Sequence, residues 1–142
     1  MSYLYHWRKE YYQSDPGMDE DPPFPNGIWF NTRNKLFGQL EEGEILYIFS
    51  RRTDGTYVLV AKGSVSEVDE EEGQYYAEIE RENLTFFVPA LGEDVEPVIR
   101  DMPLSLGNPS LGRNFQGFAH VKKVPEVSIG AIEEFSKRQK VL

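Results

Sequence analysis

The sequence predicts an α+β fold that is mostly β, with a single domain over residues 1–142. We expect a small barrel or a strongly bent sheet with short flanking helices. Two observations favour this class. Short runs rich in β-branched and aromatic residues recur at close spacing between turn residues, whereas few segments have helical periodicity. The chain of 142 residues, 39% of them hydrophobic, is also close to the commonest domain size and can bury one core.

The first third of the chain is predicted to contain a strand, a loop and a short helix. Tyr3–Trp7 is aromatic-rich, as is typical of a strand. Proline residues exclude regular strand pairing from Ser14–Asn26, so we expect a surface loop there, with a flap near Trp29 as the alternative. Apolar residues on one helical face predict a short helix over Asn31–Leu40, which one of its first two residues would cap.

A β-hairpin in the middle of the chain is the clearest structural prediction. Ile45–Phe49 is a continuous apolar run, and Thr56–Ala61 is the expected return strand. Between them, Asp54 and Gly55 form a dipeptide that favours a tight hairpin turn.

The rest of the chain is predicted to be mainly strands, closed by one helix. The acidic run Asp69–Glu72 precedes Gly73 and is expected to be a solvated turn. One helical turn is expected within Val95–Met102. Apolar residues at every third position predict an amphipathic helix over Ser128–Gln139, with Ser128 as its N-cap. Further strands are predicted at Gly63–Val68, Gln74–Glu80, Leu84–Val88 and Ala119–Val124.

The composition excludes several classes of protein. With no cysteine, the chain cannot form disulfides, thiolate metal sites or a cysteine nucleophile. The formal net charge of −9 argues against a nonspecific nucleic-acid binder, which needs a broad basic surface, but is compatible with a local basic site. The first residues lack the layout of a signal peptide, and no run approaches ~20 apolar residues. We therefore expect a cytoplasmic protein that contacts no membrane.

No motif of catalysis or cofactor binding is recognisable. The chain has 2 histidines, so a zinc site would need further ligands from carboxylates, and no suitable spacing is present. Neither a glycine-rich phosphate loop nor a Gly-x-Ser-x-Gly elbow occurs. We therefore expect a binding domain, not an enzyme, with no catalytic residues, no metal and no cofactor.

Three short clusters of aromatic and polar residues are candidates for ligand binding. Flat aromatic rings can sandwich a nucleobase, and the side chains of Asn, Gln and Arg can read its edge. In a strand, Tyr5 and Trp7 would share one face. The alternative for Trp7, Trp29 and Phe115 is packing in the core. The clusters are Tyr5–Arg8, Trp29–Asn31 and Gly112–Phe118.

Several short motifs follow one another along the chain. They are Tyr5-His6-Trp7-Arg8, Asn31, Arg51-Arg52-x-Asp54-Gly55-x-Tyr57-Val58-Leu59, Val95-Glu96-Pro97-Val98-Ile99-Arg100 and Leu111-Gly112-x-x-Phe115-Gln116-Gly117. Their order and spacing resemble the N-terminal region of a group of bacterial HNH endonucleases, and the resemblance extends from about Tyr3 to Val124. The segment Trp29–Glu44, with its two asparagines, short apolar stretch and Gly-Glu before an apolar strand, is also similar to the EVE branch of the PUA-like fold.

The resemblance implies a PUA-like barrel with a pocket for a nucleobase. It implies a reader of a modified base in DNA, linked to restriction or defence nucleases. The two histidines lack the surroundings of an HNH motif, so nuclease activity would come from another domain or from a protein partner. Under this resemblance the pocket residues are Tyr5, Trp7, Trp29, Asn31 and Phe115, and the backbone or flanking contacts are Arg51, Arg52, Arg113 and Gln116.

Two alternatives stay open. The domain could mediate protein–protein interaction or regulation, with an acidic face that binds a basic protein and no nucleic acid. It could also be an enzyme that acts on a small nucleotide-like ligand. An exposed apolar patch without a concave pocket would favour the first alternative, and perturbed carboxylates or histidines in a deep pocket would favour the second.

Overall fold

The computed structural model describes residues 1–8, 13, 16–20 and 23–142. Four residues of the predicted Ser14–Asn26 loop lie outside this description: Ser14, Asp15, Asp21 and Pro22. The strands of the described residues are, in chain order, β1 (Ser2–His6), β2 (Ile28–Thr32), β3 (Ile45–Arg51), β4 (Tyr57–Ser64), β5 (Glu67–Glu71), β6 (Gln74–Ile79), β7 (Leu84–Phe86) and β8 (Val121–Lys123).

These strands form two sheets. One has five strands in the order β7-β4-β3-β1-β8, and the other has three in the order β2-β6-β5. Strand β1 runs parallel to β3, and the remaining neighbours are antiparallel. The α+β class is therefore confirmed. No ladder between described residues joins the two sheets, so barrel closure is not observed and the PUA-like barrel stays a prediction.

Alternation along β3 separates two hydrophobic clusters. Leu46 and Ile48 belong to a cluster that also contains Phe30 of the three-stranded sheet. Tyr47 and Phe49 point to the opposite face, into a second cluster that contains residues of the C-terminal half. The five-stranded sheet is thus covered on both faces, which explains the continuous apolar run of its central strand.

The predicted hairpin is confirmed. The turn between β3 and β4 contains Asp54 and Gly55, and the positive φ of Gly55 (92°) is a conformation that glycine adopts without strain. Its closure includes a hydrogen bond from the Arg52 amide to the Thr56 carbonyl (2.8 Å). The Thr56 amide in turn donates to the Asp54 carboxylate (2.9 Å). This hairpin carries Arg51 at the end of β3.

The α-helices between residues 23 and 142 are short. They are α1 (Glu96–Arg100), α2 (Leu111–Asn114) and α3 (Ile129–Arg138). Helix α3 confirms the predicted amphipathic helix, although the side chain of Ser128 makes no capping hydrogen bond. None of the helices in the described ranges is long and apolar enough to cross a membrane. Single 3₁₀ turns occur at Pro16–Asp19, Lys35–Gln39, Arg81–Asn83, Pro89–Leu91, Gly117–His120 and Glu126–Ser128.

The helix predicted over Asn31–Leu40 is largely wrong. Its first two residues belong to β2, where alternate burial of Ile28, Phe30 and Thr32 matches strand pairing with β6. Only the 3₁₀ turn at Lys35–Gln39 remains, and Asn34 caps it by accepting a hydrogen bond from the Leu36 amide (2.9 Å). Pairing with β6 therefore outweighs the local helical spacing.

The prediction of a turn over Asp69–Glu72 is also wrong. Asp69–Glu71 lies within β5, and only the following Glu72–Gly73 pair forms the turn to β6. Strand β5 is at the edge of its sheet and its side chains are mostly exposed. Charged side chains are common on such edge strands, so their polarity does not identify a loop.

Candidate functional site

A cleft of about 670 Å³ opens where the end of β1, the edge strand β2 and the turn before β8 meet. Its volume is typical of ligand pockets, which occupy roughly 300–1,000 Å³. We call it the aromatic cleft, after the side chains that line it. Its lining includes Tyr5, Trp7, Phe24, Trp29, Asn31 and His120.

Tyr5 lies at the centre of the ring contacts in the aromatic cleft. Its ring is 4.6 Å from Phe30 and 6.0 Å from Phe37, and it meets His120 edge to face at 5.2 Å. Burial raises the pKa of the Tyr5 phenol to about 12, because the charged phenolate is poorly solvated there. The phenol is therefore neutral at physiological pH and can take part in hydrogen bonds to a ligand.

The hydrogen bonding of His120 determines which of its ring nitrogens can accept. Its Nδ1 is 2.6 Å from the carbonyl oxygen of Gly117. A carbonyl only accepts, so Nδ1 carries the proton, and Nε2 of the neutral ring is an acceptor. Burial lowers the pKa of His120, and the Gly117 hydrogen bond opposes that effect only in part. His120 thus contributes a neutral imidazole to the lining of the cleft, with Nε2 as its acceptor nitrogen.

The two tryptophans have different roles in the aromatic cleft. Trp7 is 7% exposed and packs against Phe24 at 5.7 Å, so it belongs to the floor. Trp29 is 56% exposed, because it alternates along β2 with the buried Ile28 and Phe30. Asn31 follows on the same exposed side of the strand. The Trp29 ring can therefore stack on a flat ligand without first leaving the core.

The chain before β2 is shaped by a close backbone approach. A Cβ at Gly27 would lie 2.5 Å from the Ile79 carbonyl oxygen, and the φ of Gly27 is +86°. Only glycine fits both conditions. This turn follows Phe24, whose ring stacks on Phe86 at 5.6 Å and forms one wall of the aromatic cleft.

A second pocket of about 250 Å³ adjoins the aromatic cleft. His6 and Arg8 line both cavities. Among the described residues, no carboxylate lines the second pocket, although the chain as a whole has a net charge of −9. We call it the arginine pocket; its lining residues are His6, Arg8, Arg51, Tyr57, Ser110, Gly112, Arg113 and Gln116.

Hydrogen bonds fix the segment 108–114, which forms one wall of the arginine pocket. The Gly112 amide donates to Tyr57 Oη at 2.8 Å, and a Cβ at position 112 would lie 2.7 Å from that oxygen. The Asn114 side chain accepts from the Asn108 amide (3.0 Å) and donates to the Asn108 carbonyl (2.8 Å). Arg113 therefore projects from an anchored segment.

The structure brings most of the predicted site residues together, in two groups. Four of the five residues predicted to contact a base line the aromatic cleft. Three of the four residues predicted to contact the backbone or flanking groups line the arginine pocket. The first group is Tyr5, Trp7, Trp29 and Asn31, and the second is Arg51, Arg113 and Gln116.

Phe115 and Arg52 are the two exceptions. Phe115 is fully buried and meets Phe49 edge to face at 5.1 Å, so it is a core residue and lines neither cavity. Arg52 pairs with Asp54 (3.0 Å) and donates to the carbonyls of Pro89 (2.9 Å) and Gly92 (3.2 Å). Arg52 thus fastens the hairpin to the loop after β7.

Sequence reasoning missed Phe24 and His120 as cleft residues. Phe24 lies in a proline-rich loop, and His120 precedes Val121, where the strand predicted over Ala119–Val124 begins in the structure. Neither is near Tyr5 in sequence, so no local pattern could have grouped them. Among the described residues, no group of three or more His, Asp or Glu side chains could hold a metal ion.

No protein-family model and no curated protein matches this sequence.

Proposed function

We propose that this domain is a reader that binds one nucleobase, in particular a modified base of DNA, in the aromatic cleft. The observation that carries the proposal is a cleft large enough to admit a nucleobase, with an exposed indole, Trp29, on one side and a cationic pocket beside it. We also propose that the two sheets correspond to a PUA-like barrel of the EVE kind. The expected biological context is a restriction or defence nuclease that the reader directs or regulates.

Stacking and edge recognition would divide between different residues. Trp29 and Tyr5 offer aromatic surface, and stacking on such side chains contributes about 1–3 kcal/mol per base. The Asn31 amide can both donate and accept, and the neutral His120 adds an acceptor. A base edge presents a mixture of donors and acceptors, which such a pair can distinguish.

Electrostatic attraction would be local, because the chain is acidic overall. Extrusion of a base from a duplex costs a few kcal/mol, which stacking alone offsets only in part. The guanidinium groups of the arginine pocket lie next to the cleft and can contact phosphate. With about three phosphate contacts, log K should fall with log[salt] at a slope near −3, well below that of a protein with a broad basic surface.

The decisive experiment measures fluorescence anisotropy with short duplexes and the matching single strands. The cytosine at one position is unmodified, 5-methylated or 5-hydroxymethylated, and each titration is repeated at two salt concentrations. We expect preferential, salt-weakened binding of one modified form. If no oligonucleotide binds at low salt, the reader proposal is wrong.

A basic protein partner is the second candidate, and the outer face of the three-stranded sheet favours it. Glu67 of β5 is directly opposite Glu78 of β6, which is opposite Trp29 of β2. Like charges in such cross-strand positions destabilise a sheet, and a cationic partner would relieve that repulsion. A lysine-rich peptide that binds the wild-type chain but not Glu67→Gln would support this role, whereas equal binding to both would exclude it.

A further inference from the structure

We infer that the arginine pocket binds the phosphate of the same nucleotide whose base enters the aromatic cleft. The preferred unit of ligand is then a nucleotide, not a nucleoside or a free base. This inference rests on the proposed function of the aromatic cleft, but phosphate binding can be measured separately from base binding.

The charge distribution is the first argument. Arg8, Arg51 and Arg113 line one pocket of about 250 Å³ together, and none of the described residues that line it carries a carboxylate. Arg51 and Arg113 belong to none of the ion pairs between described residues, whereas other cations of this acidic chain, such as Lys137, do have carboxylate partners. The Arg51 and Arg113 guanidinium groups share this pocket, and an anion bound between them would offset their mutual repulsion. A phosphate group, with several acceptor oxygens, suits this arrangement.

Preorganisation is the second argument. Arg113 follows Gly112, which Tyr57 Oη holds at 2.8 Å, and Arg51 lies at the end of the confirmed hairpin, where its Nε donates to the Gly55 carbonyl at 3.4 Å. Gln116 adds an amide to the pocket wall. Because the backbone under these side chains is anchored, an anion would order only the ends of the side chains.

The two cavities adjoin each other at the end of β1. Alternation at the end of β1 directs Tyr5 to the first hydrophobic cluster, whereas the His6 ring lies against Phe49, in the second. His6 and Arg8 nevertheless line both cavities. A base in the aromatic cleft and its own phosphate in the arginine pocket would therefore lie on the two sides of a single strand end.

The test uses inorganic phosphate as the first probe and the full chain at neutral pH. Changes in the NMR signals of the arginine Nε–H groups report the anion directly. We expect inorganic phosphate to shift the signals of Arg51 and Arg113. Arg113→Gln and Arg51→Gln should each weaken phosphate binding about tenfold, as expected for loss of a charge-assisted hydrogen bond. Lys137→Gln, the matched control on α3, should bind phosphate as the wild type does.

The second arm compares deoxycytidine with its 5′- and 3′-monophosphates. We expect one of the monophosphates to bind at least tenfold more tightly than the nucleoside, with the difference lost in Arg113→Gln. If phosphate shifts no arginine signal and both monophosphates bind no better than the nucleoside, the inference is wrong even if oligonucleotides bind. If a monophosphate binds through the arginines but no oligonucleotide does, the phosphate site is supported and the reader proposal fails.

Phosphate in the pocket could belong to a strand end or to the interior of a strand. Single strands with and without a terminal phosphate distinguish these sources, and both results support the site. Binding that requires the terminal phosphate identifies a strand end. Equal binding that still depends on Arg113 identifies an internal phosphodiester.

Discussion

Tyr5 and His120 meet edge to face, with ring centroids 5.2 Å apart and ring planes at 87°. The first ring comes from β1 and the second from the turn before β8, and these strands are neighbours in the five-stranded sheet. Strand pairing therefore brings together two residues that are far apart in sequence. His120 lines the aromatic cleft, and burial of its ring lowers its pKa and so favours the neutral imidazole there.

Replacement of Trp29 should impair binding and leave the fold intact. Trp29→Ala removes a ring that is 56% exposed, so we expect little loss of stability. Loss of stacking worth about 1–3 kcal/mol should weaken ligand binding by a factor of about 5 to 150. Anisotropy titration and thermal unfolding measure the two effects. Leu91→Ala, another exposed apolar residue, is the control. A Trp29→Ala protein that unfolds would instead identify Trp29 as a structural residue.

Phe115 should show the opposite behaviour. Its ring is fully buried against Phe49, so Phe115→Ala should lower the free energy of unfolding by about 3–5 kcal/mol. Urea denaturation measures this loss. The folded fraction of the Phe115→Ala protein should bind the ligand with the affinity of the wild type. Wild-type stability with abolished binding would contradict the assignment of Phe115 to the core.

His120 should make stability depend on pH in a defined direction. Burial lowers its pKa in the folded state, so the folded protein binds fewer protons than the unfolded chain just below the unfolded pKa of about 6.5. The stability linked to the neutral ring is complete above that pH and decreases as the pH falls towards the folded pKa. In His120→Gln this part of the decrease should be absent. Denaturation curves of both proteins between pH 8 and 5 test this, and parallel pH profiles would contradict it.

Substitution of Arg52 should affect the stability of the fold, whereas substitution of Arg113 should affect ligand binding. Arg52→Gln loses the hydrogen bonds to the carbonyls of Pro89 and Gly92, so we expect a loss of about 1 kcal/mol with unchanged ligand affinity. Arg113→Gln should retain the stability of the wild type and bind less tightly. Chemical denaturation and anisotropy titration of the two variants, side by side, measure both properties. If Arg52→Gln lost ligand affinity and Arg113→Gln did not, the assignment of Arg113 to ligand binding would be wrong.

A side chain at position 112 should destabilise the protein because it would clash with Tyr57 Oη, and removal of that oxygen should relieve the clash. A Cβ at this position would lie 2.7 Å from Tyr57 Oη, so Gly112→Ala must displace the loop at a cost of about 1–3 kcal/mol. In the Tyr57→Phe background that oxygen is absent, and the cost should be smaller. A double-mutant cycle of unfolding free energies measures the coupling. Additive effects would show that the contact is not the cause.

Local patterns were sufficient for elements whose periodicity and turn chemistry agree. The Asp54-Gly55 turn between two apolar runs predicted the hairpin, and the apolar spacing of Ser128–Gln139 predicted α3. They failed at β2, where the spacing in Asn31–Leu40 favoured a helix and pairing with β6 imposed a strand. Propensity is a weak preference, and the hydrogen bonds and burial that a partner strand provides can exceed it.

The amino-acid sequence was sufficient to predict the β-rich class, the hairpin, the C-terminal helix and the aromatic and arginine residues available for a site. Which of these residues share a cavity depends on the tertiary structure. Trp29 and Phe115 are both large aromatic residues, yet one is exposed and the other is fully buried. Arg51 and Arg52 are adjacent, yet one lines a pocket and the other is held by Asp54 and backbone carbonyls. A side chain's environment depends on contacts between distant segments, and these form only when the sheets pack.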